Sequence, residues 1–244
     1  MNSEIQSKIR MGEKVKDIII IGAGGFGREV QWLIERINEK EKEKTGEAAW
    51  NILGYVDDGM EAGKIIDGFP VLGDVDTLSD IKDSVAVVCA VGNPQVRKKL
   101  VYKAKKNTFL EFPNIIDPSV IMSNRVELGE GNIFSVSTVV MVDLKIGDFV
   151  IANLDCKIGH DDIIESFVTL NPNVNVSGNV WVGQGTEIGT GTKIIQGKKI
   201  GENTVIGAGA VVTKDIPGNC TAVGCPCKPI KFHNIPGGGY IAEQ

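Results

Sequence analysis

The sequence has few aromatics, few histidines and no long unbroken apolar run. Aromatic side chains make up 6 % of the 244 residues (8 Phe, 3 Tyr, 3 Trp), so a core built around large rings is not expected. The two histidines, His160 and His233, are too few for a three-histidine zinc centre. Positive charge is also short: 26 Lys and Arg face 31 Asp and Glu, a net charge of −5 with a pI near 5.2. That balance argues against a general nucleic-acid binder or an anionic-membrane binder. The opening residues MNSEIQSKIR carry no apolar signal core, so no export signal is expected. Residues 166–186 are uncharged, yet Asn, Ser, Gly, Gln and Pro interrupt them too often for a membrane span. Five cysteines in such a chain read as reduced thiols. Cys220, Cys225 and Cys227 lack a fourth nearby ligand, so no metal site is expected there. The expectation is a soluble cytoplasmic protein.

Glycine is abundant instead: 30 residues, about 12 % against a usual ~7 %. The length suits one or two domains, and two periodicities divide the chain. The first half alternates strand and helix signals. VKDIIIIG (15–22) is a continuous apolar run, as a buried parallel strand requires. GAGGFG follows, and then a helix with Val30, Leu33, Ile34 and Ile37 on one face. The charged EKEKTGE (41–47) reads as a solvated helix end and loop. NILGYVDD and DSVAVVCAVGN are further strands, and Pro94 opens a second helix. This predicts a small parallel α/β sheet over 14–113, too short for a complete dinucleotide fold.

From Ile116 the period becomes six. Every sixth residue through Val212, seventeen positions from Ile116, Met122 and Leu128 onward, is apolar without a slip of register. With 42 % apolar residues overall, chance does not produce such a run. Gly often follows the apolar residue, as at 147, 159, 183, 189, 201 and 207, where it is expected to serve left-handed or tight turns. Four residues after the apolar position comes a small or β-branched residue, as at Val150, Val168 and Thr186. A six-residue period fits a parallel β-helix in which each hexapeptide is one short strand and one turn. The second domain is expected over 114–235.

Hexapeptide repeats of this form resemble the left-handed β-helix acyltransferases, and IGENTVIGAGAVVTKDIPGNCTAVGCPCKPIK resembles their closing coils. GAGGFGREV, YVDDG and AVGNPQVRKK resemble the subfamily with a Rossmann-like domain before the β-helix, the nucleotide-amino-sugar N-acetyltransferases and sialic acid O-acetyltransferase type. The resemblance implies an acetyl-CoA-dependent N-acetyltransferase acting on a nucleotide-linked amino sugar in surface glycan synthesis. It further implies a homotrimer with active sites between neighbouring β-helices. Sialic-acid-type O-acetylation and a non-catalytic nucleotide-sugar-binding scaffold are the alternatives.

Gly22, Gly24 and Gly27 form G-x-G-x-x-G between strand and helix, which alone also fits NAD. The acidic residue expected about 20 positions later is missing; Asp57 and Asp58 come about 30 later. By resemblance, Gly24, Gly25 and Phe26 meet the nucleotide-sugar, and Asp57, Asp58, Gly92 and Gln95 add contacts. Phe26 departs from the histidine that bacillosamine-type enzymes carry there.

His160 stands two residues after Ile158, followed by Asp161 and Asp162. Imidazole titrates in the range a general base needs, and a carboxylate beside it orients the ring. GHDD matches the family's catalytic His–acid pair, so His160 is assigned as base and Asp161 as partner, with Asp162 the second choice. His233 is expected to be an exposed tail residue. Thr169 stands where N-acetylating relatives often carry a second histidine near the coenzyme. By resemblance Gly189, Thr190, Gly207 and Ala208 line the pantetheine path. Six lysines against three acids over 186–231 give that end a charge suited to coenzyme phosphates.

Overall fold

The computed structural model describes residues 15–233. The MNSEIQSKIR segment and the outermost residues of the two expected domains (14 and 234–235) lie outside them. The chain divides into two compact units: one runs to Val120 and takes in Gly129–Thr138, the other comprises Ile121–Leu128 and the chain from Val139 on.

In the first unit, β1 (Lys16–Ile21), β2 (Trp50–Val56), β3 (Ile65–Ile66), β4 (Phe69–Gly73), β5 (Val85–Cys89) and β6 (Leu110–Glu111) form one sheet in the order β3-β4-β2-β1-β5-β6. All neighbours are parallel except the short β3–β4 hairpin. Ile18, Ile19, Ile20 and Ile21 are fully buried, as the unbroken apolar run requires of a central strand. Helix α1 (Gly25–Thr45) runs through most of the charged stretch and stops at Gly46, whose φ of 86° lets its N–H reach Lys42 O. Arg36 on α1 holds the buried Asp117 through Nε at 2.6 Å and Nη2 at 3.2 Å. Burial opposes ionisation of Asp117, but the bonds from Arg36 and Ser119 win and hold its carboxyl below the usual range. Helix α2 (Pro94–Ala104) begins with Pro94 in its first turn, capped by Asn93. The β3–β4 hairpin, turning at Asp67-Gly68, and the 3₁₀ turn Val75–Asp80 are additions to the strands and helices expected from sequence.

The second unit is a left-handed parallel β-helix of two-residue strands, each pairing with the strand 18 residues on, as Val139 does with Lys157 and Ile163 with Trp181. Three hexapeptides therefore make one coil. Ile146, Ile158, Ile164, Leu170, Val182, Ile188, Ile194, Ile200 and Ile206 stack inside at 0–3 % exposure, each worth ~1.5–3 kcal/mol. Register holds from the start, although Met122 and Leu128 of the first coil are only half-buried. Ile115–Ile116 and Ile133–Phe134 pair with each other and group with the first unit.

The glycines after the inward aliphatic residue serve a different purpose from the one expected. Their φ values are ordinary; a Cβ at Gly147, Gly159, Gly183 or Gly189 would stand 2.5–2.6 Å from a backbone nitrogen of the next coil. They permit close approach. Left-handed φ falls two positions later, at Asp143, Asp155, Asp161, Asn173, Asn179, Gly185, Gly191 and their equivalents. Asp, Asn and Gly are the residues that tolerate it. Phe149 and Phe167 take the same position at φ 55° and 63°, their rings stacked 5.4 Å apart.

Candidate functional sites in the two units

Two groups of sequence-assigned residues are assembled, one in each unit. In the first, the strand order reverses direction between β1 and β5, the switch point at whose carboxyl ends α/β sheets bind ligands. Gly22 turns the chain with φ +97°. Gly27 packs so tightly beneath that a Cβ would stand 2.0 Å from Gly22 O. Gly24 and Gly25 face open space, with nothing within 4 Å of an added Cβ, and Phe26 beside them is half-buried. Gly24 caps α1 without a side-chain bond, and the first turn holds no acid, so its backbone N–H groups are set for an anion.

Asp57, just after β2, turns back onto the glycine turn: Oδ2 accepts from Ala23 N and Oδ1 from Gly59 N, both at 2.8 Å. A dinucleotide site needs an acid near this place for a ribose; here both oxygens are occupied by backbone. Asp58 Oδ1 accepts from Val75 N at 2.9 Å. Gly92 also faces open space, and Gln95 lies in the first turn of α2 with its N–H on Asn93 Oδ1. Sequence reasoning missed Arg97. Its side chain is 1 % exposed, and Nη1 donates to Val91 O at 2.7 Å and Gly92 O at 2.8 Å, fixing the loop that presents Gly92. An arginine on the inward face of a lysine-rich helix was the available signal.

In the second unit His160 stands on a solvent-facing corner of the coil. Its Nδ1 lies 2.7 Å from Asp161 Oδ2, with both side chains about 60 % exposed (64 % and 61 %). With Nδ1 on the carboxylate, Nε2 is the ring nitrogen left to take a reacting proton. Asp161 occupies the left-handed corner position at φ 58°, and its N–H donates to Val142 O of the preceding coil. The ring lies against Gly178 one coil on, where a Cβ would come 2.5 Å from Cε1 and Nε2. Asp162 does not reach the imidazole; it points inward, fully buried, with Oδ1 accepting from Val180 N at 2.7 Å. Desolvation pushes its carboxyl up to about 7 against the opposing bonds from backbone N–H groups.

Beside Asp161 runs a groove of about 380 Å³ lined by Ile163, Asn179, Val180, Trp181, Gly197 and Lys199. Trp181 was not singled out from sequence, and Lys199 was counted only among the lysines of 186–231, although both follow Ile163 at one-coil steps on an outward face. Gly189, Thr190, Gly207 and Ala208 also come together, since Gly209 N donates to Thr190 O and Gly189 packs against Ala208 N. They occupy a different corner of the coil from His160. Thr169 is 2 % exposed, in the strand ladder with Glu187. His233 is not a loose tail residue: its Nε2 lies 2.9 Å from Thr221 Oγ1, and its N–H donates to Asn219 O.

The profile of the PglD N-terminal domain matches residues 17–104. A search of curated protein sequences finds no match. Among solved structures, the chain is 30 % identical to the acetyltransferase domain of PglB from Neisseria gonorrhoeae in complex with acetyl coenzyme A, covering 88 % of this chain and 100 % of that one, TM-score 0.79. It is 31 % identical to WeeI from Acinetobacter baumannii, with the same coverage and a TM-score of 0.77. A variant of perosamine N-acetyltransferase from Caulobacter crescentus, in complex with CoA and GDP-perosamine, is 29 % identical over 91 % of this chain and 99 % of that one, TM-score 0.77.

Proposed function

The chain belongs to the hexapeptide-repeat N-acetyltransferases that carry a PglD-type N-terminal domain, and from this we propose that it transfers the acetyl group of acetyl-CoA to the amine of a nucleotide-linked amino sugar. The observation that carries the reading is the His160–Asp161 pair at 2.7 Å on an exposed corner. With Nδ1 held by the carboxylate, Nε2 accepts a proton from the amine as its nitrogen attacks the thioester carbonyl. The C–S bond breaks, the acetyl group passes to nitrogen, and coenzyme A leaves as thiolate. Asp161 stabilises the imidazolium that forms. The Gly24–Gly25 turn and the Gly92 loop suit the phosphates and sugar of the acceptor.

The residues suit the coenzyme as well. Gly189 and Gly207 allow close packing at the corner that holds Thr190 and Ala208, and the lysines of 186–231 supply positive charge. Because that corner and the His160 corner differ within one coil, a coenzyme touching both would be shared by two copies, which supports a homotrimer. Use of acetyl-CoA as co-substrate supports a cytoplasmic setting. Among the described residues no helix is long and apolar enough to cross a membrane.

Thiol release from acetyl-CoA over a panel of nucleotide amino sugars tests the reading. Product should appear with at least one amine acceptor, and His160→Ala should lower turnover by ~10²–10⁴ with folding unchanged. Silence across the panel, or full activity in His160→Ala, overturns it.

A further inference from the structure

Asp162 breaks the pattern of the β-helix interior. The inward slot four residues after each core aliphatic holds Leu144, Val150 and Cys156 before it, then Val168, Val174, Val180, Thr186 and Thr192. Asp162 is the one acid in this run, at 0 % exposure. Its Oδ1 accepts the N–H of Val180, the residue one coil on in the same slot, while Oδ2 has no partner. A buried carboxylate with a bare oxygen is costly.

A threonine elsewhere in the stack shows what is missing. Thr186 accepts the N–H of Thr204, its own slot neighbour one coil on, at 3.2 Å, and its hydroxyl donates to Gly201 O at 2.8 Å. Thr192 donates likewise to Gly207 O, and the Cys156 thiol to Asn171 O, each fifteen residues ahead. Asp162 already makes the accepting half. The carbonyl fifteen residues ahead of it belongs to Ser177, next to the Gly178 on which the imidazole lies. A proton on Oδ2 would complete the pair.

We propose that Asp162 is a positioning residue for His160, acting in its protonated form: it ties the His160 turn to residues 177–180, the floor beneath the imidazole. Its role in the reaction rests on the acetyltransferase reading; its protonation and its hold on the ring do not. The carboxyl, pushed up to about 7 by burial, keeps its proton on the acid side of that value. The charged groups bearing on it are His160 and Asp161 of its own turn. Asp143, at the equivalent corner one coil earlier, stands 3.5 Å from Arg125. The slots on either side hold the apolar Leu144 and Val180.

The sign of the pH effect follows. A carboxyl raised in the folded state gives its full contribution below the unfolded carboxylate pKa of ~3.9 and loses it as pH climbs through about 7. Two variants whose residues already fill this slot elsewhere test the idea, so both should fold. Asp162→Val removes both bonds and should lower kcat on the order of 10- to 100-fold, with KM for acetyl-CoA little changed. Asp162→Thr restores both and should recover most of that loss. The wild-type melting temperature should fall as pH climbs from ~4 towards about 7 and then level off, its kcat should fall as pH passes through about 7, and Asp162→Thr should show neither decline. The His160 ring resonance, separable because the chain has only two histidines, should shift in Asp162→Val and return in Asp162→Thr. Full kcat and an unmoved ring in Asp162→Val, or a wild-type pH decline in Asp162→Thr, overturns the proposal. If no acceptor supports turnover, the melting curves and the ring resonance still decide it.

Discussion

An exposed imidazole has several rotamers open to it, and at His160 two neighbours narrow them: Asp161 Oδ2 at 2.7 Å and Gly178 under the ring. Each makes a separable prediction. Asp161→Asn keeps a side chain that tolerates φ 58° but removes the negative charge, so kcat should fall less than in His160→Ala. Raising the pH should restore part of the loss, read from kcat against pH. Gly178→Ala puts a Cβ 2.5 Å from the ring and nowhere near the apolar stack. It should displace the imidazole and cost ~10²-fold in kcat while the melting temperature barely moves. GHDD made the His160–Asp161 contact legible because the two residues are adjacent. It ranked Asp161 before Asp162 but could not show that Asp162 turns inward at the corner. Gly178 was illegible for a related reason: its partner lies one coil away.

At the scale of single elements, glycines with one appearance in sequence carry opposite loads. Gly183 faces the backbone of the next coil, with Glu202 N 2.6 Å from its would-be Cβ, so Gly183→Ala should destabilise by ~1–3 kcal/mol in chemical unfolding. Gly24 faces open space, so Gly24→Val should leave the melting temperature nearly unchanged. It should raise KM for the nucleotide sugar, because the new side chain fills the approach to the α1 N-terminus. The six-residue period exposed the inward stack because burial repeats every hexapeptide. The reason for each glycine stayed hidden, since close approach between coils is set by partners 18 residues away. Corner residues such as Asp155 and Asn173 carry the left-handed backbone that the glycines were expected to supply. Likewise the sequence did not show that Asp57 Oδ2 braces the glycine turn at Ala23 N while Oδ1 holds Gly59 N of its own turn.

At the scale of the whole chain, the change from strand–helix alternation to a six-residue period was enough to separate an α/β sheet from a β-helix. The β3–β4 hairpin escaped because β3 has only two residues and carries no period of its own. Gly189 and Gly207 share a corner that His160 does not, and in the proposed homotrimer the coenzyme joins these corners from two copies. Light scattering at micromolar concentration should return three times the 26.2 kDa chain mass, and a monomer would contradict the shared site. The central claim is that His160 is the base for acetyl transfer to an amino sugar. Its most direct measurement is single-turnover thiol release from acetyl-CoA with a reactive nucleotide amino sugar, wild type against His160→Ala. The account predicts rapid release in the wild type and a rate ~10²–10⁴ lower in the variant, with acetyl-CoA affinity preserved. Equal rates in the two proteins would contradict it.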